Sequence, residues 1–303
     1  MTGGTGMIGL NLAVRLTAED DELYFICRPS SEGLRTRKLE AFGHVFRADV
    51  TDTEAVTSIV DTVRPDVTYH LASTRFNESV PNQVHFDVIV QGTLNVLEAL
   101  RAFPASRIIF TGSVAEYGGG SGLGENEPLR PTTILGAAKA NASILVQAYS
   151  RLYGLSAVVL RLFTPFGPWE HASRLIPTTI RSAFEGRDIS MTAGDQQRDF
   201  VYVDDVVDAL MAAGSRSVRP GSAFNIGSGN GRKVGEVVKR ILLFMGDPVK
   251  PLMGAVPTRA DEIMEMSANI ELAGSELGWK PQTSLDDGLR KTISWFKENR
   301  EQF

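Results

Sequence analysis

Short apolar runs of strand length alternate along the chain with longer stretches whose apolar residues recur at three- and four-residue spacing. This rhythm predicts strands over 23–27, 44–47, 67–71, 107–111 and 157–162, and helices over 9–17, 53–63, 88–103 and 136–153. Parallel strands must be joined by crossovers, usually helical, so the alternation points to a parallel sheet. The expected fold is α/β, a Rossmann-type doubly wound sheet with helices on both faces. Past residue 167 the pattern turns irregular and returns to the sheet over 199–227. The chain therefore divides into a sheet domain, 1–167 plus 199–227, and a smaller C-terminal lobe for substrate, 168–198 plus 228–303. The glycine-dense stretch 118–124 reads as a flexible loop.

Composition narrows the class. The 303 residues are 43% hydrophobic and 22% charged, which excludes collagen-like, disordered and disulfide-stapled chains. One cysteine, Cys27, cannot form an internal disulfide and suits a reducing cytosol. With 31 basic and 36 acidic residues the formal charge is −5, and no basic stripe marks a nucleic-acid binder. No run of about 18 apolar residues offers a membrane span, and no basic, then apolar, leader is present. The expectation is a cytoplasmic protein acting on small molecules, with no nucleic-acid or membrane partner. Cysteine clusters and paired histidines are lacking, so no catalytic metal is expected.

Candidate chemistry begins at the first residues. Thr2-Gly3-Gly4-Thr5-Gly6-Met7-Ile8-Gly9 spaces Gly3, Gly6 and Gly9 three apart ahead of an amphipathic helix. Glycines permit a tight turn and close backbone approach, and the helix N-terminus attracts a pyrophosphate. Such a turn needs a buried strand before it, yet Met1 lies two residues ahead of Gly3. The first strand is expected to be truncated, with the natural start several residues upstream and a valine codon read as initiator. Nineteen residues after Gly9 comes Arg28. An acidic residue there would bind the ribose hydroxyls of NAD, whereas arginine suits the 2′-phosphate of NADP. Ser30, Ser31, Arg35, Arg37 and Lys38 add donors and charge nearby, so NADP is favoured and NAD is the alternative. Asp49, followed by Val50, falls where the adenine edge would lie.

From here the chain resembles the extended short-chain dehydrogenases/reductases that modify nucleotide-linked sugars. The resemblance runs nearly end to end. It includes Pro65-Asp66-Val67-Thr68-Tyr69-His70-Leu71-Ala72-Ser73, Gly92-Thr93-Leu94-Asn95-Val96-Leu97-Glu98-Ala99 and Leu160-Arg161-Leu162-Phe163-Thr164-Pro165-Phe166-Gly167-Pro168. It continues through Gln197-Arg198-Asp199-Phe200-Val201-Tyr202-Val203-Asp204-Asp205, Phe224-Asn225-Ile226-Gly227-Ser228-Gly229 and Leu277-Gly278-Trp279-Lys280-Pro281.

The resemblance implies site roles. Ser113 matches the strand-end hydroxyl that polarises the sugar oxygen. Lys139 matches the lysine that holds the nicotinamide ribose and lowers the pKa of a tyrosine four residues earlier. That tyrosine position is Leu135, which carries no proton. Tyr117, four residues past Ser113, is the nearest substitute acid/base; Glu116 and His171 are weaker ones. Leu71, Ala72 and Ser73 join the cofactor contacts. Arg198 and Arg259 correspond to diphosphate contacts and Asp261 to a ribose contact, a planar guanidinium fork suiting a diphosphate. Thr164 stands where the family usually has a substrate-binding asparagine. Trp169, Glu170, His171 and Arg174 line the same cleft, and His44, His70 and His85 are structural.

The reaction is narrowed in the same way. Family 4,6-dehydratases carry an acidic pair directly after the strand-end hydroxyl, and this chain has Val114 and Ala115 there. Reduction of a 4-keto sugar and epimerisation stay open, with reduction favoured by an NADP pocket. A binding protein with little turnover is the alternative from another class, on the strength of Leu135. The family also implies a homodimer, through the helices of 88–103 and 136–153.

Overall fold

In the computed structural model, which describes residues 1–19, 21–74, 80–259 and 262–300, six parallel strands carry the sheet: β1 (Tyr24–Cys27), β2 (His44–Arg47), β3 (Val67–His70), β4 (Arg107–Ser113), β5 (Ser156–Leu162) and β6 (Ser222–Ile226). β2 pairs with β1, and β3, β4, β5 and β6 follow one another, as the spacing predicts. Met1 and Thr2 join the two groups. Thr2 bridges both Ile26 and His70 in parallel. Ile26 N–H donates to Met1 O at 2.9 Å, Thr2 N–H to Tyr69 O at 3.0 Å and Leu71 N–H to Thr2 O at 3.2 Å. With this two-residue segment as first strand, the order is that of a dinucleotide-binding sheet, reversing between Thr2 and β3.

The central strands β4 and β5 are buried on both faces, and their alternation shows it. In β4, Ile109 enters one apolar cluster while Ile108 and Phe110 enter the other. In β5, Val158 and Leu160 face the first, and Ala157 and Val159 the second. Helix α1 (Met7–Thr17) covers the first face with Leu10, Leu12 and Ala13. Helices α4 (Gly92–Leu100) and α5 (Ile134–Tyr153) cover the second, after α2 (Leu34–Phe42) and α3 (Thr53–Val63) in the chain. Each fully buried Leu, Ile or Phe contributes about 1.5–3 kcal/mol. Caps set the helix ends locally. Asp52 accepts from Ala55 N–H at 3.0 Å, Thr133 from Gly136 N–H at 3.0 Å, and Gly154 closes α5 at φ +70°.

Two expectations differ. Helix α2 was not foreseen, because it buries only Thr36 and Leu39 and so has no apolar stripe to read. The stretch 118–124 is no free loop: Gly120–Leu123 is a strand paired in parallel with Met266–Ala268. Its partner lies far along the chain, so composition alone could not reveal it.

A third apolar cluster, with Phe166, Ile180, Phe200, Val238, Ile241 and Leu289, lies beneath the C-terminal segments. There Gln197–Tyr202 pairs in parallel with Thr164–Phe166 and antiparallel with Gly231–Lys233. Buried Asp199 accepts from Ser228 N–H and Oγ–H at 2.6 Å each and from Gly229 and Ala268 N–H at 3.0 Å. Asp205 takes Gln282 N–H at 2.8 Å and Thr283 N–H at 3.1 Å, while its carbonyl accepts Trp279 Nε1–H at 2.8 Å. These two aspartates staple the irregular segments to the sheet. Among the described residues no helix is long and apolar enough to cross a membrane.

Candidate active site

The carboxyl ends of parallel strands carry loops whose backbone amides have no further strand partner, which is why ligands gather there. Here the order of pairing brings the glycine turn, Arg28 after β1, Asp49 and Val50 after β2, Leu71–Ser73 after β3 and Ser113 of β4 to that one edge.

The glycine turn is shaped by close approach. Gly3 has φ +70°, and a Cβ there would lie 2.5 Å from the Leu71 carbonyl carbon; one at Gly9 would lie 2.6 Å from Gly3 O. The turn delivers α1 with Gly6 as its N-cap, no capping side chain and no acid in the first turn. The first helical bond is Leu10 N–H to Gly6 O, so the Met7, Ile8 and Gly9 amides precede the ladder. Amides without a cap at a helix start fit a pyrophosphate, and this is the observation by which a dinucleotide suits the residues present.

A buried relay braces the turn. Ala72 N–H donates to Thr2 Oγ1 at 3.1 Å, which bonds His70 Nδ1 at 2.7 Å; His70 Nε2 meets Thr93 Oγ1 at 3.0 Å, and Thr93 Oγ1–H donates to Ile89 O. The chain is satisfied throughout when Thr2 donates to Nδ1 and the proton sits on Nε2. Burial, with Lys139 adding to it, pushes His70 down to about 3, so the ring is neutral at ordinary pH.

Around the cofactor edge the basic residues separate. The Arg28 side chain is exposed at the end of β1. Arg35, expected beside it, instead donates to Thr5 O at 3.2 Å and Trp169 O at 2.9 Å. Arg35 and Lys38 stand 5.6 and 5.4 Å from the Trp169 ring centre. Those two charges are thus tied to the Trp169 segment. Asp49 Oδ1 accepts Thr51 N–H at 3.0 Å and its hydroxyl at 2.9 Å, and Val50 is buried with its carbonyl on Asn95. Ser73 is exposed.

At the end of β4, Ser113 caps a short turn. Its Oγ accepts Ala115 N–H at 3.2 Å, which leaves its own hydroxyl proton to be donated. Its N–H donates to Glu116 Oε1 at 2.8 Å, and Glu116 Oε2 takes Arg161 Nε–H at 2.9 Å, with both side chains nearly fully buried. Tyr117 does not serve as the substitute acid. Its ring is 3% exposed, its hydroxyl donates to Asn225 Oδ1 at 2.8 Å and accepts from Arg161 Nη1 at 2.8 Å, so it belongs to the packing. Glu116 is likewise held inside by Arg161. His171 is exposed and bonded to Ser173 Oγ.

Leu135 and Lys139 are one turn apart on α5 and so share a face. Leu135 is half-buried against the apolar cluster of Ile108 and Phe110. Lys139 is 6% exposed; Nζ donates to Thr111 O at 2.7 Å and lies 4.9 Å from the Phe110 ring centre. Burial lowers it to about 8, with the Glu116 charge opposing.

On the substrate side, half-buried Thr164 begins the Thr164–Phe166 strand, opposite Phe200. Arg198 donates to Gln197 O at 2.8 Å, Ile263 O at 2.7 Å and Glu262 Oε1 at 2.5 Å, and Arg259 reaches the same carboxylate. The structure brings the two arginines together at Glu262, a residue the sequence did not single out; its spacing three after Arg259 was the available signal. Asp261 lies outside the described residues. Trp169 (φ +68°) is packed edge-on against Trp295 at 4.9 Å, while Arg174 is exposed.

Glu170 is the least comfortable group. It is 6% exposed, its Oε2 has no hydrogen-bond partner, and Arg174 Nε is 3.7 Å from Oε1. Burial, opposed by Arg174, raises it from an ordinary 4.5 to about 8. The folded protein thus holds this proton more tightly than the unfolded chain, and its contribution is lost as pH rises from 4.5 towards 8. Glu170→Gln, which cannot ionise, should gain about 3–4 kcal/mol on wild type between pH 5 and pH 8, at about 1.4 kcal/mol per pKa unit, read by urea denaturation. An advantage that does not grow with pH would contradict this.

Residues 1–227 match the model of the NAD dependent epimerase/dehydratase family. The chain is 30% identical over 331 residues to a probable dTDP-glucose 4,6-dehydratase of Sinorhizobium fredii, covering 99% of this chain and 92% of that one. It is 29% identical over 267 residues to a UDP-glucuronate 4-epimerase of Thermodesulfobacterium geofontis, covering 84% and 80%. Among solved structures, a dTDP-glucose 4,6-dehydratase of Streptomyces venezuelae with NAD and TYD bound superposes with a TM-score of 0.87 at 25% identity, covering 100% of this chain and 97% of that one.

Proposed function

Because the chain belongs to the NAD-dependent epimerase/dehydratase family, we propose that it is an NADP-dependent oxidoreductase acting on a nucleotide-diphosphate sugar, most specifically a reductase of a 4-keto sugar. The observation that carries the reading is that Ser113, at the end of β4, and Lys139, bonded to Thr111 O of the same strand, lie at the sheet edge that also carries the uncapped α1 N-terminus, with no carboxylate directly after Ser113 to carry out elimination. Gly3, Gly6, Met7, Ile8 and Gly9 hold the pyrophosphate, Asp49 and Val50 the adenine side, and Leu71, Ala72 and Ser73 the far side of the cofactor. Exposed Arg28 takes the 2′-phosphate. The segments 168–198 and 228–303 hold the nucleotide sugar, with Thr164, Arg198, Arg259 and Asp261 contacting it.

The bound reduced nicotinamide supplies a hydride to the sugar carbon. Ser113 donates its hydroxyl proton as a hydrogen bond to the carbonyl oxygen, since its lone pair is engaged by Ala115. Lys139 orients the ribose. Lowered to about 8, it is also able to pass a proton towards that oxygen and regain one from solvent. Leu135 walls the site without contributing a proton.

Two alternatives rest on particular observations. The epimerase relatives favour a nucleotide-sugar epimerase holding NAD(P) tightly. Leu135 favours a cofactor- and sugar-binding protein with little turnover. Titration with NADPH and NADH, followed by stopped-flow absorbance with a panel of 4-keto nucleotide sugars, separates the three. Tighter NADPH binding and its oxidation by a panel member is the expected result. Tight binding without oxidation, together with interconversion of unreduced sugars, would replace it by the epimerase; neither reaction would leave the binder.

A homodimer is part of the reading. Ile144 and Leu152 on α5 are apolar, half exposed or more, and eight residues apart, which leaves them on one side of the helix. Sedimentation equilibrium giving a monomer would remove it.

A further inference from the structure

The helix Leu175–Glu185 and the C-terminal helix Leu285–Glu298 pack on the third apolar cluster and leave a cleft of about 110 Å³ between them. Among the described residues its walls are apolar, with Ala172, Ile180, Phe184 and Phe296. Two arginines open onto the same space, Arg181 from the first helix and Arg300 from just beyond the second. None of the cofactor or sugar contacts lines it. A helix rises about 1.5 Å per residue, so Arg181 stands roughly 10 Å along from Arg174, where the first helix starts. The charge in this cleft is uncompensated. Among the described residues Arg181 has no hydrogen bond or ion pair, and its Nε is shut off from solvent with no acceptor. Glu185, one turn on, has the spacing of an ordinary helical partner. It is taken instead by Arg187 Nε–H at 2.7 Å. The Arg300 guanidinium lies 3.9 Å from the Phe184 ring centre and reaches the Phe184 carbonyl at 3.5 Å, with no carboxylate on it. An arginine that serves only the fold avoids such a cost by pairing.

We propose that this cleft is a second ligand site, for a small monocarboxylate carrying an aromatic ring: the ring lies among Ile180, Phe184 and Phe296, and the carboxylate meets the Nη edges of Arg181 and Arg300. Apolar walls with a few convergent polar groups are the makeup of a small-molecule site. The space is of the order of the roughly 150 Å³ cavity that accepts benzene. An inorganic anion would leave the apolar walls uncovered, and a neutral ring would leave the guanidiniums unmatched. An amphipathic anion serves both. A planar carboxylate fits the guanidinium fork, and the phenylalanine edges suit an aromatic body. Glu185 does not oppose it, because Arg187 neutralises that carboxylate.

The probe is 4-fluorobenzoate, titrated into the full chain and followed by fluorine NMR. It should bind wild type with a Kd of about 0.1–1 mM, in keeping with so small a ligand. Benzyl alcohol and acetate, the ring and the anion alone, should compete at least about tenfold more weakly. Arg181→Met and Arg300→Met keep the apolar stems and should each weaken the probe about tenfold. Arg181→Met should also melt no lower than wild type, because it gives up no bond. Ala172→Leu fills the cleft with both charges in place and should abolish binding, which keeps the test open if an arginine variant does not fold. Saturating UDP and the Arg198→Met substitution should leave the probe bound. Displacement by UDP, or loss in Arg198→Met, would put the probe in the nucleotide-sugar cleft and overturn the proposal. Equal binding by Arg181→Met, or acetate competing as well as the probe, would overturn it too. Binding seen only after Phe303→Ala would assign the cleft to residues 301–303 and remove the ligand.

Discussion

Leu135→Tyr should raise the turnover of a 4-keto nucleotide sugar by about 10²–10⁴-fold, the span of a positioned acid/base. Leu135 lies on the first turn of α5, four residues before Lys139 and on the same face. It is half-buried at the margin of the apolar cluster, so a larger ring can keep its base on that cluster while its hydroxyl turns outward. A phenol there would lie beside the Lys139 ammonium, whose charge favours the phenolate and lowers its pKa. The gain should fall on kcat, with KM little changed, because the new group acts on the transition state and makes no ground-state contact of comparable strength. Steady-state kinetics on both proteins checks it. A flat or slower variant would mean that the proton already arrives by an efficient route, and Lys139 would be that route.

Glu116→Gln should destabilise the fold by about 3–5 kcal/mol in urea denaturation, the usual result of leaving one member of a buried ion pair alone. Glu116 is fully buried and Arg161 nearly so, with Nε to Oε2 at 2.9 Å. The amide cannot offset the guanidinium charge, and its NH₂ would face a donor where an acceptor stood. A control isolates the charge. The double variant Glu116→Leu with Arg161→Met removes both charges and should recover to within about 2 kcal/mol of wild type. It still loses the Arg161 bonds to Tyr117 Oη and Glu125 O. A Glu116→Gln cost below about 1 kcal/mol would contradict the account. The pair also positions the site: Glu116 Oε1 holds the Ser113 amide, and a Cβ at Gly112 would come within 2.4 Å of that oxygen. Only glycine lets the carboxylate close on the strand end that carries Ser113.

Legibility followed the range of the interaction. The helix over 53–63 was readable to the residue because Asp52 caps it and its apolar spacing is regular. Strands β2 and β3 were readable because runs of apolar residues stand between turn residues. The helix over 88–103 was readable in kind, yet it starts earlier, at Asn82–His85, and passes through a π-helical turn, Phe86–Gln91, to which the 3.6-residue rhythm gives no clue. Gly120–Leu123 was misread, since a strand of glycine and serine is stabilised only by pairing with distant Met266–Ala268. Arg35 and Lys38 were read as adding charge beside Arg28 because they follow it closely; the fold turns them onto Trp169.

By itself, then, the sequence determined the parallel α/β sheet, the glycine turn and the family blocks, together with the lack of a proton on Leu135. All of these are written in local spacing or in residue identity. The tertiary structure alone decided that Tyr117 is bound inside by Arg161 and Asn225, that Glu170 is buried with an oxygen unpartnered, and that Arg198 and Arg259 meet at Glu262. Each of those depends on which distant segments come together, and a charge's partner and burial are properties of that meeting rather than of the residue.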